Sequence, residues 1–276
     1  MRACPSSHKL PRVSAVVLAA CTVAASAEEP NDRYWVRLEG FVPKISSTAR
    51  FDLPGTRIAG TTVDFERDLG LSDQKTLPYV LMGLRLGERW RAEFEYYELK
   101  RTGTRTIQRD VQWDDTVFSA GAEITSNFDS TIFRLSAGYS FYRSSTGEMG
   151  AAFGFHVTDF DLGITGQGTV PQGELLRSES KQQVVPLPTL GLYGAYMLSP
   201  QWILRGRLDY LSLEYDQYDG ALVNVMAAVD WRFARNFAIG LGYRYVYYDV
   251  KASKSSFDGE VKYKFRGPTL YLEAAF

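Results

Sequence analysis

From residue 34 to the C-terminus the sequence alternates with period two, in segments long enough to cross a bilayer. Phe237, Ile239, Leu241, Tyr243, Tyr245 and Tyr247 interleave with Ala238, Gly240, Gly242 and Arg244. Val223, Val225, Ala227, Val229, Trp231 and Phe233 interleave with Asn224, Met226, Ala228, Asp230 and Arg232. Trp202, Leu204, Leu208 and Tyr210 alternate with Ile203, Arg205, Arg207 and Asp209, and Phe133, Leu135, Ala137, Tyr139 and Phe141 with Arg134, Ser136, Gly138 and Ser140. Successive side chains of a strand point to opposite faces, so each segment has one apolar face and one small or polar face.

A soluble sandwich alternates too. Here the second face is rich in Gly and Arg, which suits a crowded interior, and the segments reach the ~9–11 residues that a tilted strand needs to span hydrocarbon. The pattern predicts strands near 34–44, 76–86, 91–107, 119–142, 149–161, 185–197, 202–215, 221–233, 237–250 and 260–276. The connections at 87–90, 143–148, 198–201 and 234–236 are tight; those at 45–75, 108–118, 162–184, 216–220 and 251–259 are mostly longer and polar. Short turns at one end and longer loops at the other predict an all-β fold: a closed, antiparallel up-and-down transmembrane β-barrel of about ten strands, with eight or twelve as alternatives. An even count puts both termini at the tight-turn, periplasmic end. Trp90, Tyr142, Trp202, Phe233 and Phe237 flank those turns, where rings sit at the headgroup level. Closure requires the first strand to pair with the last, because hydrocarbon tolerates no unpaired backbone edge. Pro43 and Pro268 are then expected at bulges or seams.

Composition narrows the function. Lys+Arg is 31 against Asp+Glu 32, without the basic excess of a nucleic-acid binder. Aromatics make up 14%, too many for a disordered chain. Two His and two Cys leave almost nothing for a metal site, and no Walker loop, dinucleotide fingerprint or paired CxxC is present, so no cofactor is expected. Arg2, Lys9 and Arg12, an apolar run from Val13 to Val23 and Ala25-Ser26-Ala27 read as a signal peptide over 1–27, leaving the barrel domain as 28–276 and removing Cys4 and Cys21. Leu18-Ala19-Ala20-Cys21 offers the competing reading of a lipidated Cys21.

The inward phase predicts a charged lumen lined by Arg37, Glu39, Arg85, Arg91, Glu93, Glu95, Arg134, His156, Arg205, Arg207, Asp209, Asp230, Arg232, Arg244 and Glu273. With His156 neutral these are eight basic and six acidic groups, a slight arginine excess that would favour anions if the pore were open. Ten strands enclose little more than the side chains fill, so an ion-pair network plugging the lumen is the other reading. The hairpin of 202–215 and 221–233 is expected to bring Arg205, Arg207 and Asp209 beside Asn224, Asp230 and Arg232, neutralising charge between neighbouring strands; replacing both arginines by Ala should then raise conductance. Gly240→Ser, facing the lumen, is expected to cost far less than Leu241→Arg on the lipid face.

The chain ends on Leu270, Leu272, Ala274 and Phe276, which share one face. This resembles the C-terminal assembly signal of Gram-negative outer-membrane β-barrel proteins, and the whole chain resembles the broad class of small OmpA/OmpW-like barrels. The resemblance implies export to the cell outer membrane, insertion by the barrel-assembly machinery, and contact with outer-membrane lipid and lipopolysaccharide. Val63 to Leu71 looks like a family-specific element of the first long loop, suited to stabilising the rim or to binding. Omptin-class outer-membrane proteases use acidic pairs and a His at the outer rim, and lipid hydrolases use Ser and His. His156 has no Ser at a spacing that singles it out, and a packed interior histidine fits it better than a general base. Asp159 and Asp161 read as loop-edge charges. Two functions are expected: a non-enzymatic structural barrel or narrow small-solute channel, or a surface interaction protein acting through loops 45–75 and 162–184.

Deleting Phe276 should cripple membrane insertion while leaving secretion nearly unchanged. Heat-modifiable, membrane-inserted protein from the truncated chain at the parental level would contradict this.

Overall fold

Alternating segments without helical periodicity can only pair as strands, and the described residues do so. The computed structural model describes residues 32–52, 62–113, 116–170, 173–215, 218–254 and 257–276; the expected leader, Cys21 and the expected junction at Ala27 lie outside them. The strands are β1 (Tyr34–Phe41), β2 (Lys44–Asp52), β3 (Thr62–Asp64), β4 (Leu77–Leu86), β5 (Trp90–Thr106), β6 (Val111–Trp113), β7 (Thr116–Phe118), β8 (Glu123–Arg143), β9 (Gly147–Val170), β10 (Gly173–Met197), β11 (Trp202–Tyr215), β12 (Tyr218–Ala234), β13 (Phe237–Lys254) and β14 (Phe257–Ala275).

The order around the wall is β1-β4-β5-β8-β9-β10-β11-β12-β13-β14, and β14 returns to β1, all antiparallel. The first and last strands therefore close the ring, with Trp35 opposite Ala275 and Phe41 opposite Thr269. β2 continues β1 along the same partner, placing Lys44 opposite Arg266, so β1 and β2 form one wall strand broken at Val42–Pro43. The break explains two prolines at once. Pro43 occupies the interruption and Pro268 lies across from it, where Val42 N–H donates to the Pro268 carbonyl at 3.0 Å. Gly267 completes the seam, because a Cβ there would run into the Val42 carbonyl and Pro43 Cα.

The four tight connections fall at 87–89, 144–146, 198–201 and 235–236, all at the end that holds Tyr34 and Phe276. The expected long loops differ from the reading above. β9 and β10 stay paired from Gly147↔Tyr196 up to Val170↔Gly173, so most of 162–184 is strand, and β13 with β14 runs up to Lys254↔Phe257. The segment 45–75 holds β2 and β3. Polar outward residues hid these extensions: above the bilayer both faces of a strand can be polar, and apolar alternation fades while hydrogen bonding continues.

The outer face carries a belt of exposed apolar side chains, among them Leu38, Leu135, Leu190, Leu241 and Leu270. Rings edge its tight-turn border: Trp90 meets Tyr139 at 5.1 Å, and Phe237 meets Phe276 at 6.4 Å. The interior has two layers. Nearest the tight turns it is charged. Toward the other end it is apolar, a cluster including Phe41, Leu99, Phe128, Phe160, Tyr263 and Phe265.

The Val63–Leu71 segment belongs to that second layer. β3 pairs β2, and the following turns fill the wall between β2 and β5, where β4 is absent. Gly70 takes φ 73° and packs so closely on Gly103 of β5 that neither tolerates a side chain there. Val63, Phe65, Leu69 and Leu71 are buried, and Phe65 meets Phe128 edge-on at 5.4 Å. Glu66 accepts from Ser47 N at 2.9 Å and from Arg101, whose Nη1 also donates to the Ser72 carbonyl at 3.2 Å. At the surface of this segment burial alone would raise the Asp68 carboxyl, but hydrogen bonds from Arg67, the Asp64 backbone and Arg109 hold it below its ordinary range.

Leu241, 63% exposed on the outer face, lies between the aromatic borders of β13. Leu241→Arg should destabilise the lipid-embedded barrel by about 2–4 kcal/mol. Denaturant titration in vesicles measures it; an unchanged midpoint would mean that this face does not meet hydrocarbon.

Candidate functional site

Every other residue of each wall strand points inward, and inside a ring this narrow long side chains meet across it. Arg37, Glu39, Arg85, Glu93, Glu95, Arg134, His156, Asp209, Asp230, Arg244 and Glu273 are buried in the interior. Arg91, Arg205, Arg207 and Arg232 share their phase, half-buried, around a cavity of about 90 Å³ toward the tight-turn end.

These groups neutralise one another both across the barrel and between neighbouring strands. Arg207 on β11 reaches Glu93 on β5 at 2.5 Å, four places around a ring of ten. Arg205 on β11 reaches Glu273 on β14 at 2.8 Å, and Glu273 also takes Arg37 at 2.6 Å. Arg134 on β8 pairs with Glu95 on β5 and with Asp209 on β11, the latter at 3.3 Å. Arg244 on β13 approaches Glu39 at 3.4 Å and Glu95 at 3.9 Å. The expected neutralisation between neighbouring strands therefore occurs, at Arg37–Glu273 and Arg134–Glu95 directly opposite in register, and pairs across the barrel add to it. Asp209 does stand opposite Asn224 and accepts from its Nδ2 at 3.0 Å, and Arg205 reaches Asp230 diagonally. Arg232 instead pairs with Asp32 at 2.6 Å.

Two carboxylates escaped the sequence reading. Glu148 forks onto Arg85 at 2.8 and 2.9 Å, and Asp32 holds Arg232. Glu148 had been assigned to a turn, and Asp32 precedes the first strand. With them the six acids become eight against eight arginines, and the arginine excess disappears. The signal available was arithmetic: a closed interior with two unmatched cations calls for two more anions nearby.

The inward glycines have a specific use. Trp35 lies flat over Gly83, Tyr193 over Gly150 and Tyr271 over Gly240, so the rings occupy space that a Cβ would take. Arg37 stacks on Tyr271 at 3.9 Å, and Arg91 sits between Tyr193 at 4.3 Å and Trp35 at 4.9 Å. The expectation that Gly240→Ser is cheap therefore fails: the new Cβ meets a buried ring fixed by Arg37 on its face and Asp230 at its hydroxyl.

His156 lies where the charged layer meets the apolar one, opposite Arg134 on one side and Leu187 on the other. Its Nδ1 is 3.5 Å from Thr189 Oγ1, and it is buried well below the rim. Asp159 and Asp161 project outward from the same strand, so no acid–histidine pair forms with them. Among the described residues no group of three or more His, Cys, Asp or Glu side chains could hold a metal ion.

No family model and no curated protein matches the sequence. Solved structures do match in shape. The outer membrane protease OmpT from Escherichia coli superposes with a TM-score of 0.57 over 92% of this chain and 99% of that one, at 12% identity. The translocator domain of the autotransporter NalP from Neisseria meningitidis covers 90% of both chains with a TM-score of 0.44 at 11% identity. The chain thus has the fold of outer-membrane β-barrels.

Gly240→Ser should lower the thermal midpoint of the folded barrel, and Tyr271→Ala in the same chain should recover part of the loss by clearing the ring. Serine tolerated without any loss would contradict the flat packing of Tyr271.

Proposed function

We propose that this chain is a non-conducting, non-enzymatic barrel of the cell outer membrane with a structural role. The observation that supports it best is the double filling of the interior: a charged layer matched eight to eight, and above it an apolar layer capped by the Val63–Leu71 segment. Ions crossing the ring would have to break several buried pairs and then traverse a dry aromatic core. Leu270, Leu272, Ala274 and Phe276 present the C-terminal signal to the barrel-assembly machinery, and the apolar belt faces outer-membrane lipid. Export follows from the leader, and nucleic acid is not among the partners.

A second reading, surface interaction, has its own support. β10 keeps β9 up to Gly173 but parts from β11 at Leu190↔Tyr210, leaving strand edges unpaired beyond the membrane-facing belt. A free edge is a template for an added strand. In this reading the rigid barrel displays the β9–β10 hairpin.

Planar-bilayer recording tests the first reading. The parent should be silent, and Arg205→Ala with Arg207→Ala should lower the thermal midpoint yet remain silent, because the apolar layer still blocks the path. This reverses the expectation that the double substitution alone raises conductance. Steady parental channels would overturn the proposal.

A further inference from the structure

On the outer wall, the strands nearest the seam change character abruptly. β14 and β13 present Leu270, Pro268 and Tyr243 to lipid, and Val42 is exposed beside them. Immediately beyond, away from the tight turns, the same faces present Arg266, Lys264 and Lys262 on β14 and Lys44 on β2. The register sets Lys44 directly opposite Arg266, with Lys264 one outward position further along. Lys262 is satisfied by Glu260 at 2.9 Å and Asp249 at 3.9 Å. Among the described residues, no carboxylate within ion-pair distance serves Lys44, Lys264 or Arg266. Like charges directly opposite on paired strands are destabilising, so the bare protein holds this trio at a cost. On β13, Tyr245 stands opposite Arg266 and Tyr247 opposite Lys264, lining the third side with rings suited to the headgroup region. Elsewhere on the rim, just beyond Tyr96 and Phe133, the outward charges are mostly acidic, Glu98, Asp129, Asp159 and Asp161, and the cation among them, Lys100, is held by Glu98 at 2.6 Å.

We infer that Lys44, Lys264 and Arg266 form a docking site for the phosphate of a lipid headgroup in the outer leaflet. The position selects a lipid over a soluble anion: acyl chains would lie along Leu270, Pro268 and Val42 while the phosphate meets three cations at the edge of the belt. This rests on the reading that the barrel lies in the outer membrane with its tight turns inward.

The test uses the full barrel in detergent and in phosphatidylcholine nanodiscs, with bisphosphorylated lipid A as the probe and native mass spectrometry as the readout of retained lipid. The parent should retain lipid A, and Lys44→Ala, Lys264→Ala and Arg266→Ala together should weaken retention on the order of a hundredfold. Lipid A stripped of both phosphates should bind parent and variant equally weakly. Asp129→Asn with Asp161→Asn should leave retention at the parental level. In detergent without lipid A the triple variant should melt no lower than the parent, since it loses only mutually repelling charges, and this measurement separates a lost site from a lost fold. Equal retention by the triple variant, or a lower lipid-free midpoint, would overturn the inference. So would displacement of lipid A by inorganic phosphate at comparable concentration, which would make the site one for soluble anions. A concentration-dependent dimer abolished by the triple substitution would also overturn it, assigning the stripe to the acidic rim of a second copy. A chain that inserts into no bilayer would instead contradict the outer-membrane reading itself.

Discussion

A ring of strands in hydrocarbon has no free edge and no spare volume, and the rest of this molecule follows from those two limits. Closure through β1, β2 and β14 pairs the backbone at the seam. It also commits alternate side chains of ten wall strands to a narrow interior. Arginines placed there by the inward phase must find carboxylates, and the ring is narrow enough for them to do so across it. Glu93 and Glu273 each serve guanidinium groups from more than one strand, which ties opposite walls together. The charged layer thus braces the ring as well as filling it.

The apolar layer solves a different problem. Beyond the belt the wall loses β4, and the gap between β2 and β5 would expose the interior. Glu66, Ser47 and Arg101 fasten the 62–75 segment into that gap, and Phe65 and Leu69 contribute to the core from it. Arg101, fully buried against Phe128, brings a charge into this layer, and its charge partner Glu66 lies in the 62–75 segment.

Most of the architecture was legible from the sequence because lipid enforces a strict code: outward apolar, inward small or charged, aromatic at the borders. That code gave ten strands, the tight turns and the phase of every anticipated lumen residue from Arg37 to Glu273. Where lipid stops, the code stops. The upper halves of β9 and β10 read as loop for that reason. Pairing partners were less legible than phase. Arg207 was expected to find its anion on β12 and instead pairs with Glu93 on β5 and with Asp209 on its own strand, because sequence adjacency says nothing about which walls face each other across a closed ring. Gly240 was misjudged for a related reason: an inward glycine looks like empty space until the Tyr271 ring of the neighbouring strand is laid over it.

The central claim is that β5 and β11 are braced by buried charge across the barrel. A double-mutant cycle on Glu93→Gln and Arg207→Ala, read by unfolding in lipid vesicles, tests it most directly. Each single change should be destabilising, by less than the about 3–5 kcal/mol of an isolated buried pair, because Arg91 and Arg134 still face Glu93 and Asp209 still faces Arg207. Together they should cost clearly less than their sum, with a coupling of at least about 1 kcal/mol. Additive losses, within about 0.5 kcal/mol, would show that the two walls do not depend on each other and would contradict the account.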